Sequence, residues 1–453
     1  MFHKGFGASC GVPDISRKPL AQADSPTDFP LPATLLEDAF FAPLRDVIAN
    51  NPITRECPTF DDDTFAILSV LRVLQSSKSG RDFLQIHGIP NAPGLTCANY
   101  FANLSSKRRL AFMRKLDAGL RAARLPGLRA HHDLLAAFPE LDGWEVWAAD
   151  GHMIAHATHD QRNDKEQYTP VGAIYKLDLR TGWAGFIALI QPTARGTEHE
   201  LTTLKRQPSE DLRCGAAKGR RTLLAYDSAI IDFKCAHNLK QGKGVYILTR
   251  WKDNLAPMTC IARPFDPAHP ANALITGDET VYFERSPTPW RRITAKSADS
   301  GEIHIILTNE MNLPPGVLSE CYRLRWLIEK AFDQQEQKLD ERKAWGKSDT
   351  AKSNQALAIC IARNLLQLFK ATLREEEDIE DTKVINAYHK NLAKREVSAR
   401  KAGRTFPKTL YLALYRPTEL SLQFIRWLRS HIFRAACYRQ ALDALRPLML
   451  AYL

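Results

Sequence analysis

Apolar residues recur at helical spacing across residues 32–138, which predicts a helical region with breaks in the 88–94 loop and near Pro126. From Trp144 the period changes to two. Trp144, Val146 and Ala148 alternate with Glu145, Trp147 and Ala149, a short strand ending in Asp150-Gly151. Residues 173–179 and 183–190 flank Arg180-Thr181-Gly182 as a hairpin, and a helix is expected over 196–206. The run 221–227 is apolar in the manner of a central strand and closes on Asp227. A helix over about 229–240 and a strand over 244–250 follow. Further strands are expected at 279–284, 290–293 and 302–307, and Pro314-Pro315 mark the start of a helix reaching Lys338.

That helix carries the most informative pattern. Steps of three and four put Tyr322, Arg325, Glu329, Phe332 and Glu336 on one stripe. An ordinary amphipathic helix would bury aliphatic residues there. Here a carboxylate and a guanidinium share a face surrounded by Leu324, Trp326, Leu327, Ile328 and Ala331, which points to a site. Asp150 and Asp227, each closing a strand, are the natural partners of Glu329. Three such carboxylates suit a pair of Mg²⁺ ions, because that cation takes hard oxygen ligands. Paired ions about 4 Å apart stabilise both the attacking and the leaving oxygen of an in-line phosphoryl displacement.

On these residues the chain resembles the DDE transposases of bacterial insertion sequences, in the group with a Tyr-x2-Arg-x3-Glu-x6-Lys signature (the insertion-sequence-four family). The resemblance spans about residues 142–369. It rests on Ala149-Asp150-Gly151-His152, Tyr226-Asp227 with Asp232-Phe233, and Thr249-Arg250 with Lys252 and Asn254. The helix from Tyr322, Lys343-Ala344-Trp345 and Thr350-Ala351-Lys352 complete it. It implies an α/β, ribonuclease-H-like catalytic domain, a mixed sheet with helices that brings Asp150 and Asp227 together. It also implies a β-rich insertion at about 255–302 and flanking helical N- and C-terminal regions. Asp150, Asp227 and Glu329 would be the catalytic and metal-holding triad, with Mg²⁺ as cofactor and Mn²⁺ as a substitute. Tyr322 and Arg325 would contact DNA phosphates near the scissile end, with Arg250, Lys252 and Lys338 as further candidate DNA contacts. The implied partners are double-stranded DNA, as terminal inverted repeats and target, and a second copy of the chain in a homodimer. One departure stands out. The signature lysine position holds Glu336, and Lys338 lies two residues on, about 200° around the helix.

Charge sharpens the picture. The chain of 453 residues has a net charge of +11, and residues 383–453 hold fourteen basic residues against three acidic ones. Such clustering is the electrostatic footprint of nucleic-acid contact, alongside a packed helical core built on Leu412, Tyr415, Leu422, Ile425, Leu428 and Phe433. A second basic helix over 106–124 sets Lys107, Arg108, Arg109, Arg114, Lys115, Arg121 and Arg124 against Asp117. Arg108, Arg109 and Lys115 are its candidate DNA contacts, as readers of the element's end. Trp290, beside Arg291 and Arg292, reads either as a base-stacking residue or as core.

Nine scattered cysteines without a Cys-x-x-Cys pair argue against a zinc ribbon or disulfide scaffold and fit a reducing cytoplasm, with the protein nucleoid-associated. His152, His156 and His159 lack the spacing of a zinc site, though His152 is placed to flank Asp150. No Walker-type loop points to a nucleotide cofactor, and no run approaches the ~20 apolar residues of a membrane span. The expected organisation is a flexible leader (1–32), a helical DNA-binding region (33–140), the catalytic domain (141–372), a solvated acidic linker (373–382) and a basic helical region (383–453). The expected function is metal-dependent strand cleavage and transfer. The alternatives are an impaired or repurposed transposase that only binds DNA, which Glu336 favours, and a ribonuclease-H-like metal nuclease that cuts without joining.

Overall fold

The computed structural model describes residues 34–50, 60–75, 79–88, 94–163, 166–193, 196–227, 231–339, 343–414 and 422–450, without the side chains of 335–338 and 422. The expected leader (1–32) therefore lies outside the described residues, as do Tyr415 and the side chains of Leu422, Glu336 and Lys338.

Helices α1 (Leu36–Ala49), α2 (Asp62–Leu74) and α3 (Lys107–His132) lead the chain. Of these, α2 and α3 begin where the sequence supplies a capping side chain. Asp61 accepts from Thr64 N at 2.7 Å, and Ser106 accepts from Arg109 N at 3.4 Å. The expected break at Pro126 does not occur, and α3 runs through it. Leu125 and Leu128 on either side are buried, and their packing offsets the one backbone bond that proline cannot donate.

Nine strands then form one sheet: β1 (Trp144–Ile154), β2 (Val171–Asp178), β3 (Ala184–Ile190), β4 (Arg221–Ala225), β5 (Val245–Arg250), β6 (Thr259–Ala262), β7 (Ile275–Tyr282), β8 (Trp290–Lys296) and β9 (Ile303–Thr308). Their spatial order is β3-β2-β1-β4-β5-β9-β8-β7-β6, with β1-β4 and β4-β5 parallel and every other pair antiparallel. The first five strands have the order expected of a ribonuclease-H-like sheet. The strands around the expected insertion extend that same sheet, because β9 pairs with β5. Alternation in β1 splits its side chains between two cores, Trp147 and Ala149 on one face and Trp144, Val146 and Ala148 on the other. Both faces of the central strands are therefore covered, as parallel pairing demands.

Four helices frame the sheet: α4 (Glu200–Arg206), α5 (Phe233–Lys243), α6 (Pro315–Leu324) and α7 (Trp326–Lys338). The next, α8 (Asp349–Glu377), packs on β3 and also on α1, α2 and α3. Among the described residues it alone is long and apolar enough to cross a membrane, yet 78% of its apolar window is buried inside the protein, as in a core helix. Its buried Asn364 holds β3 through both amide atoms, Oδ1 taking Ala184 N at 2.8 Å and Nδ2 donating to Ala184 O at 2.9 Å. Asn364→Ala is expected to lower unfolding free energy by about 1–3 kcal/mol, since it strands two buried backbone groups. Urea denaturation checks this, and a loss near zero would show that β3 does not depend on the contact.

The C-terminal helices α9 (Thr382–Lys401), α10 (Leu422–Ile432) and α11 (Tyr438–Leu450) complete the fold. The acidic stretch at 374–381 is not a solvated linker. Glu377 ends α8 and takes Arg439 and Arg446 of α11 at 3.0 and 3.1 Å, Arg374 pairs with Glu380 at 2.6 Å, and Asp381 caps α9. Part of the basic C-terminal charge is thus used internally. Lys390, Lys394 and Lys401 on α9 remain exposed.

Candidate active site

Strand register assembles the site. The parallel ladder between β1 and β4 runs from Trp144↔Arg221 to Ala148↔Ala225, so Asp150 and Asp227, each two residues further, stand level at its mouth. Asp150 lies inside β1 rather than at its end, because β1 continues to Ile154 paired with β2 alone. Its Oδ1 accepts from Gly151 N at 2.9 Å.

The third acid arrives from the other side of the sequence. The single helix expected up to Lys338 is two helices, α6 and α7, meeting at Arg325. There Arg325 N bonds Tyr322 O and Arg325 O takes Ile328 N, both at 3.0 Å and both three residues apart, which tightens the junction. The Arg325 side chain donates to Glu329 Oε1 at 2.6 Å and to Asp150 Oδ2 at 3.2 Å, while its guanidinium sits 5.8 Å from the centre of the Tyr322 ring. One arginine therefore stands between the first and third acids of the expected triad.

Electrostatics agree with that convergence. Burial pushes the Asp150 carboxyl above its usual range, and the charges of Glu329 and Asp227 act in the same direction against Arg325. Burial also raises the Tyr322 hydroxyl, with Arg325 and Arg250 pulling it down. Arg250, at the exposed end of β5, thus lies within electrostatic reach of Tyr322, and Lys252 is half-buried just beyond it.

A fourth acid, Glu200, was not singled out from the sequence. It opens α4, and burial followed by the charges of Asp150 and Asp227 raises its carboxyl. An acid in a helix's first turn is common, so nothing in the one-dimensional pattern marks it.

Other expected contacts lie elsewhere. Trp290 is 1% exposed, edge-on to Phe233 at 5.3 Å with its Nε1 on Ser286, so it is core rather than a base platform. Arg291 is buried on Asp278, and Arg292 pairs with Glu279 at 2.6 Å. On α3, Arg109 is fully buried and spent on Asp62 and Phe60 O, and Arg108 shares Asp62 at 2.6 Å. Arg109 is thus a structural cation and not a DNA reader. Arg121 donates to Cys214 O and Arg124 pairs with Asp46, which leaves Lys107, Arg114 and Lys115 exposed. Asp117 is half-buried, and the desolvation of its carboxyl pushes it up to about 6. His152 stacks on Phe332 at 4.7 Å and His156 on Tyr168 at 3.9 Å. Trp326, 55% exposed, stands immediately beside Arg325 with Lys330 over its ring at 4.6 Å.

As the side chains stand, no three His, Cys, Asp or Glu among the described residues are close enough to hold an ion. The Arg325 guanidinium takes the place between Asp150 and Glu329. The donor chemistry still fits a hard divalent cation: every neighbouring acid is a carboxylate, and a Cβ at Gly151 would fill the cradle between Asp150 and Glu200.

Residues 145–365 match the family described as the transposase DDE domain. The matched segment starts in β1, ends in α8 and takes in Asp150, Glu200, Asp227, Arg325 and Glu329. No curated protein matches the chain.

Proposed function

With residues 145–365 carrying a transposase DDE domain, we propose that this chain cuts and joins DNA at the ends of an insertion sequence, as a member of the Tyr-Arg-Glu-Lys group. The observation that carries this reading is the register that sets Asp150 level with Asp227, with Arg325 tying Glu329 to Asp150. Asp150, Asp227 and Glu329 would hold Mg²⁺ or Mn²⁺. Such ions, when bound, acidify the attacking hydroxyl or water and stabilise the charge that builds on the phosphoryl oxygens.

The chain's own residues do the positioning. Tyr322, Arg325 and Arg250 line one side of the acids and offer a hydroxyl and two guanidiniums to phosphate oxygens. A planar guanidinium suits a phosphate as well as a carboxylate, so an incoming DNA phosphate competes for Arg325 and frees Asp150 and Glu329. Asp150 and Glu329 are half-buried beside apolar α6 and α7 residues, which strengthens their interactions, whereas Asp227 is exposed. The exposed lysines of α9, with Lys107, Arg114 and Lys115 of α3, would follow the duplex backbone, and paired ends would engage two copies of the chain.

Trp326 takes the role first assigned to Trp290, as the aromatic platform at the rim of the site. Trp326→Ala is expected to weaken binding to an end duplex with one unpaired base by about 1–3 kcal/mol. Fluorescence titration should show no such loss on the fully paired duplex, and equal losses on both would rule the platform out.

The deciding experiment is cleavage of a DNA fragment carrying the gene's own flanks, with Mg²⁺ or Mn²⁺ and with strand-transfer products scored. Cuts at defined positions followed by joining establish the transposase. Cuts without joining indicate a nuclease of the same fold. Binding without cuts in either metal indicates the impaired protein that Glu336, at the signature lysine position, favours. Glu336→Lys is then the variant to make.

A further inference from the structure

We propose that Glu200 is a fourth carboxylate of the ion-holding centre, sharing a divalent cation with Asp150 and Asp227. The inference rests on the reading of Asp150, Asp227 and Glu329 as a metal site and extends it by a residue from a separate element.

Position comes first. Glu200 is the first residue of α4, whose His199 cap accepts from Leu201 N at 3.2 Å and whose Leu204 is buried against the core. That anchoring aims the Glu200 stem back across β1. Its carboxylate lies against Gly151, the residue after Asp150, with Cδ 2.7 Å from where a Cβ would stand. Any larger residue at 151 would displace it. Glycine here is explained by the close approach of a carboxylate and not by φ, which is ordinary for a strand.

Partners come second. Glu198, two residues earlier, receives Gln191 N at 2.9 Å, Thr203 Oγ1 at 2.7 Å and Arg206 at 2.7 and 3.0 Å. Glu200 has no hydrogen-bond or ion-pair partner among the described residues, and its charged neighbours are Asp150 and Asp227. The nearby guanidinium, Arg325, is already divided between Asp150 and Glu329. A half-buried carboxylate held beside two others is a net repulsion that a cation removes. An acid that served only the dipole of a helix would gain as much facing water.

Calorimetric titration of Mn²⁺ into the full chain tests this, beside thermal melts with and without the metal. Glu200→Gln is expected to weaken Mn²⁺ binding by on the order of 10- to 100-fold. It should also leave the metal-free melting temperature unchanged or raised, and Glu200→Asp should restore part of the affinity. Asp150→Asn is the reference. If Asp150→Asn binds Mn²⁺ like the parent protein, the underlying metal-site reading fails. If Asp150→Asn loses the ion while Glu200→Gln keeps the parent affinity, the triad stands and the Glu200 inference is overturned. A Glu200→Gln protein that melts lower without metal, yet gains as much from Mn²⁺ as the parent, would likewise reduce Glu200 to a structural role.

Discussion

Asp150→Asn and Glu329→Gln are each expected to lower strand cleavage by roughly a thousandfold or more while sparing most of the DNA binding. The reasoning starts from charge. Each substitution keeps the shape of the side chain and removes one anionic oxygen donor, and the donor set has no neutral ligand to take its place. On the proposed reading, phosphate contacts would come from Arg325, Tyr322 and Arg250, which both variants retain. Loss of Asp150 or Glu329 even releases a hydrogen bond of Arg325. Stability gives an independent check. Burial raises the Asp150 carboxyl in the folded chain. A carboxyl raised on folding contributes stability that is fully present below its unfolded value and is lost as pH rises through its folded value. At neutral pH the ionised Asp150 is therefore held at a cost, and Asn at 150 is expected to melt no lower than the parent. Gel shift and cleavage on the same labelled fragment, with a thermal melt, give all three readouts. Equal loss of binding and cutting would place Asp150 in DNA recognition and sink its assignment to the chemistry.

Arg291→Met is expected to lower unfolding free energy by about 3–5 kcal/mol, the cost of removing the close partner of a buried carboxylate whose remaining cation, Arg263, stands 3.7 Å away. Arg291 is 2% exposed and grips Asp278, itself 3% exposed, with Nε on Oδ1 at 2.8 Å and Nη2 on Oδ2 at 2.7 Å. Its remaining Nη1 donates to Leu313 O at 2.6 Å. That carbonyl lies just before Pro314 and Pro315, where α6 begins. The ion pair thus joins β7 and β8 to the entry of the helix pair that delivers Tyr322, Arg325 and Glu329. A double variant, Arg291→Met with Asp278→Leu, should recover part of the loss, because it removes the stranded Asp278 charge while the buried Glu310, 3.8 Å from Arg291, keeps its backbone hydrogen bonds. Urea denaturation of the single and double variants measures both effects. A single variant costing under about 1 kcal/mol would show that the pair does not anchor α6.

How far the site was legible depends on which residues are asked about. Asp150 and Asp227 were legible because an alternating run reaches Asp-Gly at the first and an apolar run closes on the second, although β1 continues past Asp150 to Ile154. The Tyr322, Arg325 and Glu329 stripe was legible from helical spacing, although the chain breaks into two helices at Arg325 that spacing alone joins into one. Glu200 was not legible, since an acid in a first turn looks the same whether it faces water or Asp150. Arg109 was misread for a related reason, and Trp290 with its neighbour Arg291 was left open between base stacking and core. Composition registers a basic or aromatic residue but not the Asp62, Phe233 or Asp278 that takes it up from a distant part of the chain.

The local code of this protein, then, determined eight of the nine strands of its sheet, several of its helix starts and the three acids of the expected triad, because those depend on period, caps and turns within a few residues. Tertiary packing alone decided which charges are exposed and which are buried, where α6 gives way to α7, and that Arg325 comes to Asp150 and Glu200 to Gly151. Those outcomes are set by partners from 13 to 175 residues apart, whose encounter depends on how the two faces of one sheet are covered.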